Sequence, residues 1–516
     1  MGATEVNVTP EKHIQDGRSH SSDEDVAEII VDENTTVDWT AEEERRIKTK
    51  IDFVLLPVLG VAFFALQMDR GNISNALTST ITTDLGIDTN QINVGTALLS
   101  LGIVLLELPS NVLLQKIGPH KWLSGQIIAW GLVALFQNFI TNYAGYLVTR
   151  IILGLCESGF IPGALYTMST WYKRDETSFR VSIFFLGNLL ASALTSLIGA
   201  GILSMGDRDG IPGWRWLFIV EGAITIGVGL IFMLLLPPSV SDARPLIGLR
   251  KWSYFNERET YILKRRVLLD DPAKTTGGLH IRAHDVGKTV SNPRIVLHML
   301  ITLTAIIPVT AINTYGPSVI KSFGYTKVHA NAMASVGSFI AVVVVLMLGW
   351  LCDKTGRKGP FVLFGAVWSL IAFTCLRQSQ TQNWDRGMKY AAVVFSMATN
   401  SVVHIVNVGW LSANCQDPRQ RSVAMAAIVM SANAAGIAGS QVFRTQDKPL
   451  YLHGFTACLA LSALNILEII AQSVWYFVSN RKLAKTNAEA PVIKGATDET
   501  ADGHKEALIK RWWWTW

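Results

Sequence analysis

Charge is scarce in this chain: 16% of its 516 residues are Asp, Glu, Lys or Arg, where soluble domains carry roughly a quarter. That shortfall excludes an ordinary soluble globule. The five cysteines, Cys156, Cys352, Cys375, Cys415 and Cys458, show no CxxC or CxxH spacing, which supports neither a disulfide framework nor a zinc site. The first fifty residues lack an apolar core segment, so no cleavable signal peptide is expected. No metal-ligand cluster, nucleophile constellation or phosphate-cradling loop stands out, which argues against an enzyme and against a cofactor. The net charge is +5, yet the basic residues are spread over short loops. The excess therefore reads as membrane topology and not as a nucleic-acid surface.

Apolar sequence is abundant instead, with 49% hydrophobic residues and a mean hydropathy of +0.30. A membrane span needs about twenty mostly apolar residues, and such runs lie near 51–71, 92–114, 122–140, 143–167, 180–204, 214–236, 294–318, 329–351, 360–377, 388–411, 422–442 and 455–479. The pattern predicts an all-α, polytopic membrane protein with twelve spans in two six-helix halves. Residues 1–50 read as a disordered acidic cytoplasmic tail (Asp23, Glu24, Asp25, Glu28, Asp32, Glu33), too polar to bury a core. The halves are assigned to 51–237 and 293–480, a cytoplasmic central loop with an amphipathic stretch from Tyr254 to Leu269 to 238–292, and a cytoplasmic tail to 481–516. That last tail ends in Trp512-Trp513-Trp514-Thr515-Trp516, rings suited to a lipid interface.

Orientation follows from the basic residues in short loops. Arg45, Arg46, Lys48 and Lys50 precede the first run, while Lys116 and Lys121, then Lys173, Arg174 and Arg180, then Lys354, Arg357 and Lys358 follow even-numbered runs. Both termini and the central loop are expected to be cytoplasmic. In the second half Lys321, Lys327, Arg377, Arg386 and Lys389 fall on the other side, so there the assignment rests on parity as well as charge.

The ionisable residues inside apolar runs are the candidates for function, since each costs roughly 2.5–3.5 kcal/mol at membrane depth. Arg150 and Glu157 are seven residues apart, a step of about two turns, so they share one helix face. Gly154 and Gly159 beside them would let a neighbouring helix come close. Asp69 and Arg70 stand about 100° apart on their helix, so one is expected to face a ligand and the other a neighbouring helix. Glu107 and Asn111 share a face next to Pro109, which permits a bend, and read as packing and gating residues.

The second half has a neutral wall: Asn313 and Tyr315 in the seventh run, Asn407 and Trp410 in the tenth, with His404 nearby. An ionisable wall facing a polar, aromatic one suits a small amphipathic anion, arginine taking its carboxylate and amides with rings taking the rest. Sodium coupling would use carbonyls of interrupted helices, and no pair of such breaks is visible in the sequence.

Gly349-Trp350-Leu351-Cys352-Asp353-Lys354-Thr355-Gly356-Arg357-Lys358 resembles the cytoplasmic loop signature of the major facilitator superfamily. Asp69-Arg70-Gly71-Asn72-Ile73, Glu107-Leu108-Pro109-Ser110-Asn111, Glu157-Ser158-Gly159-Phe160-Ile161-Pro162-Gly163, Trp171-Tyr172, Gly213-Trp214-Arg215-Trp216-Leu217-Phe218 and Glu221-Gly222 are similar to the fungal allantoate and nicotinate permease branch of its anion:cation symporter family. The likeness runs from about Ile51 to Phe477. It implies the major facilitator fold and proton-coupled symport of a small organic anion, a carboxylate-bearing metabolite or vitamin-like compound, by alternating access. It further implies that Asp69 and Glu157 are the protonatable carboxylates and that Arg70 and Arg150 hold the substrate or its counter-charge. Asp353 and Arg357 would close the inner gate. The first-half loop Gln115-Lys116-Ile117-Gly118-Pro119-His120-Lys121 departs from the superfamily signature by lacking its aspartate.

The expected partners are thus an organic anion, protons and the lipid bilayer, with no nucleic acid, for a functional monomer in the plasma membrane. Two alternatives stand beside this reading: an exporter or redistributor of a secondary metabolite, and a nutrient sensor on a transporter frame. The structural alternative for Arg150 and Glu157 is a tie between helices.

Overall fold

The computed structural model describes residues 38–206, 210–240, 242–248, 253–270, 283–382, 384–399, 402–415, 418–448 and 450–489. Twelve helical passages carry these residues: α1 Ala41–Ala76, α2 Thr89–Ile117, α3 Pro119–Phe136, α4 Tyr143–Trp171, α5 Arg174–Ser204, α6 Gly213–Leu235, α7 Pro293–Ser322, α8 Lys327–Thr355, α9 Gly359–Thr381, α10 Arg386–Ala413, α11 Pro418–Ser440 and α12 Leu452–Glu489. The protein is all-α, with twelve spans in two sets of six. Eleven of the twelve are long and apolar enough to cross a membrane by length and composition alone. The exception is α3, whose eighteen residues open on Pro119-His120-Lys121 and carry Gln126.

Local chemistry sets the helix ends. α1 starts inside the stretch assigned to the acidic tail, because Thr40 and Glu43 cap it reciprocally: the Glu43 amide donates to Thr40 Oγ1 at 3.2 Å and the Thr40 amide to Glu43 Oε2 at 2.8 Å. Glu42, Glu43 and Glu44 then sit at the positive end of the helix dipole. Asp88 and Gln91 form the same box at the start of α2. At the other end of the chain α12 runs on to Glu489, into the segment assigned to the tail. Residues 1–37 and the Trp-rich stretch from Trp512 to Trp516 lie outside the described residues.

Two of the passages are interrupted, which corrects the expectation that no paired breaks exist. α4 stops at Glu157, turns through Ser158 and Gly159, and resumes at Phe160. α10 stops at Met397 and resumes at Val402. The breaks occupy corresponding positions, fourth and tenth, in the two halves. Their sequence signal is weak because residues 158–163 remain apolar and small, so the hydropathy run continues while the hydrogen-bond ladder does not.

α3 packs on α6 and α9 on α12; α2 packs on α11 and α8 on α5. Adding six to each number maps the first pair onto the second and exchanges the last two, the contact pattern of an internal repeat. The α2–α11 and α5–α8 contacts join the two halves, the latter with Leu186 against a cluster of Val342, Val344, Val345, Leu348 and Val402.

The central loop carries a helix, Glu257–Asp270, where the amphipathic stretch was expected. Its buried Arg266 donates to Glu176 Oε2 at 3.0 Å and to the Trp171 carbonyl at 3.4 Å, and its Glu259 accepts from Lys50 at 2.5 Å. Beside it Asp52 accepts both Nε and Nη2 of Arg180, at 2.5 and 2.8 Å. The Arg180 guanidinium also lies over the Tyr172 ring at 4.5 Å. This ion-pair cluster belongs to the end of the amino-terminal half that carries the start of α1.

Candidate functional site

The break in α4 is the local origin of the site. Glu157 ends the first segment, and Gly159 takes a left-handed backbone, φ +81°, that its missing side chain allows. Carbonyls freed by the break find a partner in Gln126 of α3, which donates to the Ser158 oxygen at 2.6 Å and to the Cys156 oxygen at 3.4 Å, and the Ser158 hydroxyl ties the break to α2 by donating to the Ile103 carbonyl at 2.8 Å. A turn upstream, a Cβ on Gly154 would collide with the Leu99 carbonyl. α2 and α4 can be this close because that position is glycine.

Arg70 of α1 meets Glu157 across this junction, its Nε 2.6 Å from Glu157 Oε2. The carboxylate side chain is fully buried, whereas the arginine side chain keeps 22% of its surface exposed. Arg70 is also the positive neighbour of Glu107 on α2, whose Oε2 receives a long hydrogen bond from Asn433 of α11 at 3.4 Å. Asn111 turns back to donate to the Glu107 carbonyl within its own helix at 2.9 Å. Arg70 is therefore the reachable cation of the site, flanked by two acids.

Arg150 is placed differently. It is 2% exposed and lies against the rings of Tyr146 and Phe218, 5.2 and 5.9 Å from their centroids. Its Nε and Nη2 find no hydrogen-bond partner among the described residues. It shares a face with Glu157, as the spacing predicts, but the ion pair of Glu157 is made with Arg70. Asp69, next to Arg70 and turned away from it, is 3% exposed and accepts from the Thr225 hydroxyl of α6 at 2.9 Å. Both neighbours on α1 therefore bond other helices, Arg70 to α4 and Asp69 to α6, where one of them was expected to face a ligand.

The carboxy-terminal half supplies a buried polar network. His298 of α7 is bonded through Nδ1 to Asn407 Oδ1 at 2.6 Å and through Nε2 to the Tyr476 hydroxyl at 2.9 Å. Asn407 also donates to the His298 carbonyl at 2.9 Å and to Thr302 at 3.0 Å. Trp410 packs edge-on to His298 with ring centroids 5.0 Å apart. Both Asn407 and Trp410 are fully buried in this network. His404 lies at the α10 break and lines a cavity of about 20 Å³ with Thr304, Ser369, Thr399, Ser462 and Asn465, room for one water molecule. Sequence reading passed over His298, and also Glu468 of α12, which accepts from Thr304 at 2.6 Å inside a span. Single polar residues in apolar helices gave no spacing signal to find them by.

Tyr315 sits in a different place from the rest. Its hydroxyl bonds Asn93 of α2, and Asn93 donates in turn to the Phe443 carbonyl at 2.7 Å. Close by, Lys321 and Asn331 bond the Thr78 carbonyl and hydroxyl at 2.6 and 2.7 Å, and the Thr445 amide donates to Asn90 at 3.0 Å. These bonds tie the two halves together at the end of the spans remote from the start of α1. Asn313, two residues before Tyr315 and so on nearly the opposite face of α7, is exposed. At the opposite end Arg357 is exposed, while the side chain of Asp353 lies outside the described residues.

The sequence pattern of the Major Facilitator Superfamily matches residues 59–440. An uncharacterized transporter of Saccharomyces cerevisiae is 27% identical over 447 residues, 86% of this chain and 82% of its own. The major facilitator-type transporter hxnP of Emericella nidulans is 27% identical over 478 residues, 91% of this chain and 94% of its own. Among solved structures, the xylose transporter XylE from E. coli in a partially occluded inward open conformation aligns with a TM-score of 0.63 at 17% identity, over 86% of this chain and 99% of that one. At that identity the likeness concerns the fold alone.

Proposed function

We propose that this chain, which belongs to the Major Facilitator Superfamily and is a transporter and not an enzyme, carries a small organic anion across the membrane together with protons. The observation that supports this reading is the ion pair between Arg70 and Glu157 at 2.6 Å, with the arginine part-exposed and the acid sealed. A carboxylate-bearing solute and the Glu157 carboxylate are chemically alike, so they compete for one guanidinium. A proton on Glu157 removes its charge and releases Arg70 to the solute; loss of that proton restores the pair and expels the solute. Proton and anion then travel in the same direction by necessity.

Arg150 acts behind this pair, as a fixed positive charge that its ring contacts keep in place. Asp69 holds α1 to α6. Asn407 and Trp410, expected to contact the solute, are instead sealed in the His298 network and brace α7 against α10. The Asn93, Tyr315 and Thr78 bonds close one mouth, and Glu107, Asn111, Asp353 and Arg357 serve the other. In this reading a monomer in the plasma membrane, with both termini cytoplasmic, takes up the anion.

The test uses the full chain in proteoliposomes with labelled nicotinate and allantoate as probes. Wild type accumulates a probe only under an inward proton gradient, with or without sodium. Glu157→Gln retains exchange of the probe but loses gradient-driven accumulation, and Arg70→Ala loses both. Accumulation that follows sodium would transfer the coupling to the paired breaks in α4 and α10, and binding without flux would favour a sensor.

A further inference from the structure

Glu221, on the face of α6 toward α1, is the least accommodated charge-bearing group in the amino-terminal half. It is wholly buried, and neither of its carboxyl oxygens has a hydrogen-bond partner among the described residues. Thr225 lies one turn further on the same face, and its hydroxyl bonds Asp69 Oδ2 at 2.9 Å. That contact brings the Asp69 carboxyl to the level of Glu221, and Asp69 is the charged neighbour that acts on it. The second Asp69 oxygen, Oδ1, is likewise buried without a partner. Two acids thus share an enclosed patch with three unpartnered oxygens, one bonded donor in Thr225 and the buried Trp130 indole N–H facing Asp69.

The nearest cation not already paired is Arg150 of α4, which lies over the Phe218 ring of α6 and acts on Glu157; it makes no hydrogen bond or ion pair with Glu221 or Asp69 among the described residues. α3 from Trp122 to Phe136 and α5 from Ile183 to Ser204, which pack on α6, contain no titratable residue. α6 itself has Arg215 only near its start, more than a turn before Glu221. From α4, Glu157 adds a like charge toward Asp69, and Arg70 is engaged with Glu157. An unpaired buried carboxylate costs several kcal/mol, and two of them side by side cost more, so a shared proton is the low-energy arrangement.

We propose that Asp69 and Glu221 form a second proton-binding site, holding one proton between Glu221 and Asp69 Oδ1, separate from the Arg70–Glu157 pair. The proton resides on a carboxyl oxygen of Glu221 and is donated to Asp69 Oδ1 as a hydrogen bond when the two approach. Asp69 and Arg70 are consecutive on α1, so a tilt of α1 that separates Arg70 from Glu157 also moves Asp69 against Glu221. One helix motion thereby changes both the anion contact and the proton contact. This inference rests on the anion-symport reading only for its second test below.

The first test is infrared spectroscopy of the purified full chain in lipid nanodiscs, in water and in heavy water. At neutral pH wild type shows the C=O stretch of a dehydrated protonated carboxylic acid, shifted down in heavy water. Glu221→Gln loses that band, Glu157→Gln keeps it, and Thr225→Val, which leaves both acids in place, shifts it. A band unchanged in Glu221→Gln, or one that disappears when sodium is added, overturns the proposal. The second test is nicotinate accumulation in proteoliposomes. Glu221→Gln keeps nicotinate exchange and loses the response to a proton gradient; a full response with the band gone overturns the coupling role. If wild type moves no nicotinate, the anion reading fails and the infrared result still decides the proton site.

Discussion

Arg70 Nε lies 2.6 Å from Glu157 Oε2, joining the first and fourth helices of the chain through a pair that is sealed on one side and open on the other. Removing one member of such a pair strands the remaining charge, at a cost of about 3–5 kcal/mol when it is buried. Arg70→Met is expected to lower the melting temperature of the purified protein by stranding Glu157. Arg70→Met with Glu157→Gln is expected to recover most of that loss. A double variant no more stable than Arg70→Met would mean that the carboxylate is accommodated by other groups.

Helix proximity around the site depends on one missing side chain. The Cβ of Gly154→Ala would drive into the Leu99 carbonyl, backbone that cannot swing aside, and overpacking of this kind costs about 1–3 kcal/mol or more. Gly60→Ala, with nothing within 4 Å of its new Cβ, is the matched control. Fluorescence-detected size exclusion after heating should show Gly154→Ala melting well below wild type and Gly60→Ala close to it.

Asn93 is the centre of the latch between the halves, accepting from Tyr315 and donating to the Phe443 carbonyl. Its two hydrogen bonds, of about 0.5–1.5 kcal/mol each, are part of the set that holds that end shut together with the Thr78 and Asn90 bonds. Asn93→Ala is expected to shift the population toward the opposite state. The readout is labelling of Thr314→Cys, 8% exposed and beside the latch, in a background free of native cysteine. A bulky polar maleimide should label it several times faster when Asn93→Ala is added, and an unchanged rate would place the closure elsewhere.

Cys415 offers a pH test outside the spans. Burial pushes its thiol up to about 11, against a smaller downward pull from Arg421. Only the thiolate reacts, so at pH 8 roughly one molecule in a thousand is reactive, against about one in four for an ordinary thiol near 8.5. With the other four cysteines replaced by serine, maleimide labelling at pH 8 should be slower than for an exposed thiol by about two orders of magnitude. The rate should climb with each step of pH until about 11. A rate already level at pH 8 would contradict the burial.

Much of this protein was legible without coordinates. The near-continuous apolar runs placed the spans, since a helix must satisfy its own backbone in lipid and needs a set length to cross it. The seven-residue step put Arg150 and Glu157 on one face, and the 100° step separated Asp69 from Arg70, although both bond neighbouring helices where one was expected to face a ligand. The start of α1 was missed, because the Thr40–Glu43 cap extends a helix beyond its apolar segment into charged sequence. Breaks in α4 and α10 were missed as well: hydropathy does not register a turn made of small and apolar residues.

Composition, periodicity and motif spacing determined the class, the number of spans, the face on which each ion stands and the family. They do so because those properties depend on neighbours along the chain and on the solvent around it. Which ion meets which was decided by tertiary structure alone. Glu157 could have been paired with Arg150 on its own helix; packing of α1 against α4 gave it Arg70 and left Arg150 among rings. Glu221 stood in the sequence only as half of the Glu221-Gly222 motif, with no partner assigned, until the Thr225–Asp69 bond brought Asp69 beside it. These two pairs lie 87 and 156 residues apart in sequence, and no local rule of spacing reaches that far.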